Sequence, residues 1–308
     1  MSDPHQRRLL VLCLAAVYII WGTSYAATRI GVLNLPPLLF GGVRFVLGGL
    51  LLTAVAFWRG FRLRQAKGHW RELIILSFIG VSISNAMQTW AMQWVPSHTS
   101  ALLNASCALW IVVFGLFGRR AHKPSTLEIT GLVIGFAGTA LLMLPAMRGS
   151  AGMEHQLWPQ VVILGACIVW SLGTIYMRNH NMPLDLFAVV GLQMLLGGVW
   201  MTLAGLAHGE LALWHWSVPG ALSLAYLVLL SCCCAYTAYG WLARHATPAQ
   251  VGTYSYVNPA IAAVVGYFAL GERLAPVQLA GAVVILAGVL MINWPARAPS
   301  RDPATPHQ

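Results

Sequence analysis

The stretch Trp21–Gly49, WGTSYAATRIGVLNLPPLLFGGVRFVLGG, has a counterpart 149 residues later in Trp170–Gly198, WSLGTIYMRNHNMPLDLFAVVGLQMLLGG. Laid on one another without a gap, the two agree at seven of 29 positions. Trp21 falls on Trp170, Arg29 on Arg178, Leu35 on Leu184, Gly42 on Gly191, Leu47 on Leu196, and Gly48-Gly49 on Gly197-Gly198. Further along, Pro96 and Pro124 answer to Pro248 and Pro276 at an offset of 152, and Gly131 and Ala137-Gly138 to Gly281 and Ala287-Gly288 at 150. The chain reads as two related halves.

What each half consists of follows from where charge is missing. Hydrophobic residues make up 58% of the 308 residues and charged ones only 8%, against roughly 25% in soluble domains. No Asp, Glu, Lys or Arg occurs in Leu9–Thr28, Leu73–Trp94, Thr99–Gly118, Ile129–Met147, Gln156–Met177, Leu211–Ala243 or Ala246–Gly271. About 20 apolar residues in helical form cross a hydrocarbon core of about 30 Å. These runs predict an all-α, polytopic membrane protein with ten transmembrane helices, at about 9–30, 37–58, 73–93, 98–118, 126–145, 157–178, 184–206, 218–243, 248–270 and 274–294. The first of these follows Arg7-Arg8 but is too long for a secretory leader and lacks a convincing cleavage site, so it is expected to stay as a span.

Five spans per half is an odd number, so successive halves must be inverted relative to each other, as in carriers with a binding site at the bilayer midplane. The expected organisation is a cytoplasmic tail (1–8), a first five-helix repeat (9–148), an outer loop (149–156) around Gly149, Ser150 and Gly152, a second repeat (157–294) and a disordered cytoplasmic tail (295–308) with four prolines. The two repeats surround a central cavity. The net charge of +10 is asymmetric: with the N-terminus inside, 14 of the 18 Lys and Arg fall on the inner side, among them Arg59, Arg62, Arg64, Lys67, Arg71, Arg119, Arg120 and Lys123. This is the positive-inside pattern. It indicates two cytoplasmic termini and no nucleic-acid partner.

The six cysteines all lie within spans, without zinc-ligand spacing or a loop pair for a disulfide. No metal and no cofactor is expected. With no H-E-x-x-H, no G-x-S-x-G and no carboxylate pair inside a span, the sequence offers no enzyme signature. A channel would want a ring of like groups or a carbonyl filter, and neither is evident in two unlike halves.

Several stretches then resemble a known family. Asn258-Pro259-Ala260, Gly271-Glu272-Arg273-Leu274, Gln278, Gly281 and Ala287-Gly288-Val289, with Trp21-Gly22, Pro36-Pro37, Arg44-Phe45 and Gly48-Gly49 in the first half, resemble the EamA family of the drug/metabolite transporter superfamily. The resemblance covers about 9–294 and is nearest to bacterial amino-acid exporters. In the first half the place of Pro259 is taken by Cys107, and that of Glu272-Arg273 by Arg119-Arg120. The family implies a carrier of small metabolites in which spans 1–4 and 6–9 enclose the cavity while 5 and 10 lie outside it. Partners would be a small-molecule solute and membrane lipids, with a homodimer also open.

Polar groups inside spans are expensive in hydrocarbon and mark function. Arg44 lies seven residues into span 2, roughly 10 Å below its end; it suits a carboxylate-binding or gating role, or one of pairing with helix-end carbonyls. Trp21 and Trp170 approach the midplane from opposite sides and read as cavity walls or as packing. Asn85 and Gln88 share a face of span 3. Asn104 lies in span 4, Tyr236 and Tyr239 in span 8, and Asn258 in span 9 ahead of Pro259, which frees a carbonyl near Ser255. Together these nine residues would form a neutral, aromatic-walled solute site suited to a zwitterion, or each amide would simply bond between helices. All eight acidic residues map to tails, loops or span ends, so ion coupling through an intramembrane carboxylate is not expected. His98 reads as interfacial.

Overall fold

The computed structural model describes residues 4–117, 125–150, 155–180, 182–246, 250–251 and 253–292. Among them all regular structure is helical. The helices are α1 (Pro4–Asn34), α2 (Pro37–Trp58), α3 (Trp70–Ala91), α4 (Ser97–Gly115, with a break at Ser106), α5 (Thr126–Met147), α6 (Leu157–Asn179) and α7 (Leu186–Ala207). Next comes α8, built from the α-helix Val218–Tyr226, the π-helix Leu227–Ala235 and the α-helix Tyr236–His245, then α9 (Tyr254–Leu270) and α10 (Pro276–Ile292). A second π-helix, Ser77–Ile83, lies inside α3.

Eight of these helices, α1 to α8, are long and apolar enough to cross a membrane, and α9 and α10 are shorter apolar helices of 17 residues each. A helix of 22 residues such as α2 reaches about 33 Å. Seventeen residues stand at the lower limit of the roughly 17–25 that span a bilayer. Large apolar side chains cover the outside, including Phe57, Trp58, Val133 and Phe268. Such a surface is expected where the surrounding solvent is lipid. The chain is a multi-pass membrane protein.

Local chemistry sets the helix ends. Ser125 and Glu128 form a reciprocal capping box at the start of α5, and Asp185 caps α7 through the N–H groups of Phe187 and Ala188. Gly271 ends α9 with φ +65°. Pro145 lies in the last turn of α5 and Pro159 in the first turn of α6. The missing N–H of Pro159 costs nothing in a first turn, where no intrahelical partner exists. Arg119, Arg120, Lys123, Pro124, Gly152, Pro248 and the expected tail 295–308 lie outside the described residues.

Two helix pairs pack with their backbones in direct contact. In α2 and α7, a methyl placed on Gly49 would sit 2.4 Å from the nitrogen of Leu195 and 2.8 Å from the carbonyl oxygen of Gly191; one on Gly198 would sit 2.5 Å from the nitrogen of Val46 and 2.8 Å from that of the Gly42 carbonyl. In α5 and α10, Gly138 meets Ile285 and Gly281 while Gly288 meets Gly135 and Gly131. Only glycine allows this approach. In both pairs the contacts run in opposite chain directions, so α2 is antiparallel to α7 and α5 to α10. They are also reciprocal: Gly49 meets the carbonyl of Gly191, while its repeat counterpart Gly198 meets the carbonyl of Gly42, the counterpart of Gly191.

Candidate functional site

Two chambers lie among the helices. The first, of ≈ 140 Å³, lies among α1, α2, α3, α4, α6, α8 and α9 and is the polar chamber in the sense that Arg44 and ten Ser, Thr, Asn and Gln residues line it. Eight of the nine site residues read from the sequence line it: Trp21, Arg44, Asn85, Gln88, Asn104, Trp170, Tyr236 and Asn258. Tyr239 instead lines the second chamber, of ≈ 390 Å³, between α3, α6, α7 and α8. Trp170 and Tyr236 belong to both. No residue of α5 or α10 lines either one.

Arg44 dominates the polar chamber. Its side chain is 94% buried (6% exposed), reached because α2 starts only seven residues earlier at Pro37 and its glycine face lies against α7. One guanidinium nitrogen, Nη2, donates to Ser231 Oγ at 3.1 Å, and the cation stands 4.7 Å from the centre of the Phe45 ring. Nε has no partner. Among the described residues the ion pairs are Arg59 with Asp185 and His98 with Glu272, so no carboxylate pairs with Arg44. A buried cation of this kind is expensive until an anion joins it.

The amides divide into two groups. Gln88 Nε2 donates to Ser100 Oγ at 2.7 Å, and Asn104 Nδ2 donates to Gln88 Oε1 at 3.0 Å and to the Ser100 carbonyl at 2.9 Å, tying α3 to α4. Asn85 Nδ2 donates to the Val81 carbonyl in its own helix. Asn258, by contrast, is buried with its Oδ1 unpartnered. Aromatic rings complete the wall. Trp21 lies 5.2 Å from Tyr236 and 5.0 Å from Tyr239, and Trp170 lies 6.4 Å from Tyr236. Tyr236 thus joins the two tryptophans of the sequence repeat.

Sequence reasoning missed Tyr254, whose ring stands 5.5 Å from Trp21, and the small hydroxyl residues Ser24, Thr28, Thr89 and Ser231. The signal for Tyr254 was the pair Tyr254-Ser255 beside Asn258 in an apolar run; the hydroxyls carry none, because Ser and Thr within helices commonly bond back to helix carbonyls, as Ser24, Thr89 and Thr139 do.

His98 is buried at the start of α4, with Nδ1 2.9 Å from Glu272 Oε2. The same carboxylate accepts from Ser97 N at 2.8 Å, Ser97 Oγ at 2.7 Å and His98 N at 3.3 Å, so a loop residue after α9 caps α4. Burial pushes the Glu272 carboxyl up, but the His98 ring and the Ser97 donors outweigh it and hold it down at about 2. Glu210 does similar service for α2, accepting from Leu38 N and Leu39 N. Nearby, Arg29 Nη1 donates to the Met92 carbonyl, fixing the end of α1 to that of α3. The described acids lie in loops or at helix ends, as the sequence reading has them.

Comparison with known proteins supplies the family. The model of the EamA-like transporter family matches residues 8–144 and again 157–294. An Escherichia coli (strain K12) protein called "Uncharacterized inner membrane transporter YedA" is 35% identical over 293 residues, covering 92% of both chains. A Salmonella typhimurium protein called "Probable amino-acid metabolite efflux pump" is 26% identical, covering 90% of this chain and 92% of that one. A solved crystal structure superposes with a TM-score of 0.68 at 19% identity, over 92% of this chain and 95% of that one, and shares the fold. A polytopic helical chain with an enclosed polar chamber and two matches to one family model is a membrane transporter, and it belongs to the EamA-like transporter family.

Proposed function

We propose that this chain exports small metabolites, amino acids first among them, across the bacterial inner membrane by alternating access. In this reading all ten helices span the bilayer as two inverted five-helix repeats, and both termini are cytoplasmic. The antiparallel, reciprocal contacts of α2 with α7 and of α5 with α10 support the inversion, because equivalent helices related by an in-plane twofold meet in that way.

The observation that carries the solute reading is the uncompensated charge of Arg44 inside the polar chamber. A solute carboxylate would supply the missing anion through a charge-assisted bond to the guanidinium. Asn258 Oδ1 offers an acceptor for an ammonium group, again without a partner of its own. One unpaired donor and one unpaired acceptor in one chamber suit an α-amino acid. Trp21, Trp170, Tyr236 and Tyr239 would cover its apolar part, while Asn85, Gln88 and Asn104 complete the polar wall. The "efflux pump" in the name of the Salmonella relative supports the outward direction.

Counterflow into liposomes preloaded with unlabelled solute, using labelled amino acids, nucleosides and sugars, tests this directly. Uptake of amino acids alone is the expected result. Uptake of only sugars or nucleosides would sink the amino-acid assignment, and turnover of a lipid or peptide by the purified protein would revive an enzymatic role.

A further inference from the structure

The polar chamber is the smaller of the two. At ≈ 140 Å³ it falls below the roughly 300–1,000 Å³ of pockets that enclose drug-sized ligands, whereas the second chamber, at ≈ 390 Å³, is within that range. The two have different chemistry. The second is walled mainly by apolar side chains, among them Leu76, Val81, Met177, Leu186, Val190 and Met194. Its polar groups are largely spent: Thr174 Oγ1 donates to the Trp170 carbonyl and the His180 ring bonds to the Tyr176 carbonyl. Gln193 is the exception, with Nε2 unpartnered, which gives an occupant one place for a single acceptor.

We infer that the solute is amphiphilic: its charged head sits at Arg44 and Asn258, and its apolar body passes Tyr236 and Trp170 into the second chamber, which sets selectivity by apolar size. The inference rests on the carrier reading above and narrows its solute class to amino acids, or related monocarboxylates, with an aliphatic, thioether or aromatic side group. The shared walls Trp170 and Tyr236 are what make one ligand rather than two the economical occupant, since a molecule crossing that boundary stays in contact with both rings. Burying hydrocarbon there follows the ordinary transfer free energy per methylene.

Purified full-length carrier, titrated while its intrinsic tryptophan fluorescence is read, gives the test. Across glycine, alanine, valine, leucine and methionine, affinity should rise about fourfold per methylene buried. Val190→Phe, which fills the chamber without touching Arg44 or Asn258, should weaken leucine and methionine by about tenfold or more and alanine by less than about threefold. Val190→Ala should move the preference toward phenylalanine, and covers the case in which the larger residue prevents folding. Equal affinity for alanine and leucine, or equal loss for both in Val190→Phe, would overturn the inference. A parallel series from acetate to hexanoate separates the two levels of the reading. A size trend among these acids but none among amino acids would reject amino acids and keep the amphiphile; no trend in either series would reject the amphiphile.

Discussion

The pairs α2·α7 and α5·α10 use the same packing device and put it to different ends. Each is an antiparallel contact of one helix with its counterpart in the other half, closed backbone to backbone over glycines. Between the glycines of α2 lies Arg44, and between those of α7 lies Gln193, one in each chamber. The glycines of α5 and α10 flank only apolar or self-satisfied residues; Thr139, for example, donates to the carbonyl of Gly135. Tight packing is therefore no sign of function in this chain. What sets α2·α7 apart is a polar side chain on each helix, Arg44 and Gln193, with bonding capacity that the protein itself leaves open.

That contrast can be broken at several points. The largest effect is expected from Gly198→Leu, whose side chain meets the Val46 and Phe45 backbone, against Gly138→Leu, whose side chain meets the Ile285 backbone. Both should lower the yield of folded protein in detergent, since the neighbours cannot move aside as flexible side chains would. In the fraction that folds, measured by counterflow, only Gly198→Leu should also lose transport. Equal transport defects would mean that α5·α10 participates in the cycle. Next in size, Arg44→Ala should cut counterflow by on the order of 10–100-fold, the worth of a charge-assisted hydrogen bond, with no fall in thermal stability. Its match in the other pair is Gln278, buried in α10 with Oε1 accepting from Ala275 N. Gln278→Leu should alter stability and leave the KM of counterflow as it was.

Glu272→Gln comes third. It removes the charge that four donors at the start of α4 converge on, and should destabilise the fold by about 1.5–3 kcal/mol at pH 7. The sign with pH follows from the depressed carboxyl. The charged form contributes fully above about 4.3, the ordinary glutamate value, and its contribution is lost as pH falls toward about 2. Melting temperatures of the two proteins should therefore converge on acidification from pH 5, and a constant gap would show that the charge contributes nothing. Smallest of all, Asn258→Ala should weaken solute affinity by about tenfold, the low end for a hydrogen bond to a charged group, with the affinity for a monocarboxylate lacking the amino group unchanged.

The helices were largely legible because a simple pattern encodes them. A charge-free run put the sixth helix at about 157–178, and α6 runs from Leu157 to Asn179. Gly42, Gly49, Gly191 and Gly198 were read only as repeat-equivalent positions, and the structure brings them together across α2 and α7. Arg44 and the aromatic residues stood out as polar or amphipathic groups in hydrocarbon, and the structure gathers them. What was not legible depends on distances across the chain. No local pattern says that Glu272 reaches back 175 residues to Ser97, since the capping carboxylate stands outside the helix that it caps. The second chamber was equally hidden, because its apolar walls cannot be told from packing by residue type.

Neither π-helix announced itself either, yet Ser77–Ile83 in α3 and Leu227–Ala235 in α8 begin 150 residues apart, the spacing of the later glycines. A π-turn holds one residue of slack relative to the α-form. Taking it up rotates everything beyond by about 100° and shortens nothing else. In α8 the segment ends immediately before Tyr236, so a small rewinding of the backbone there would swing the aromatic ring that divides the two chambers, and α3 holds a matching reserve in the first half.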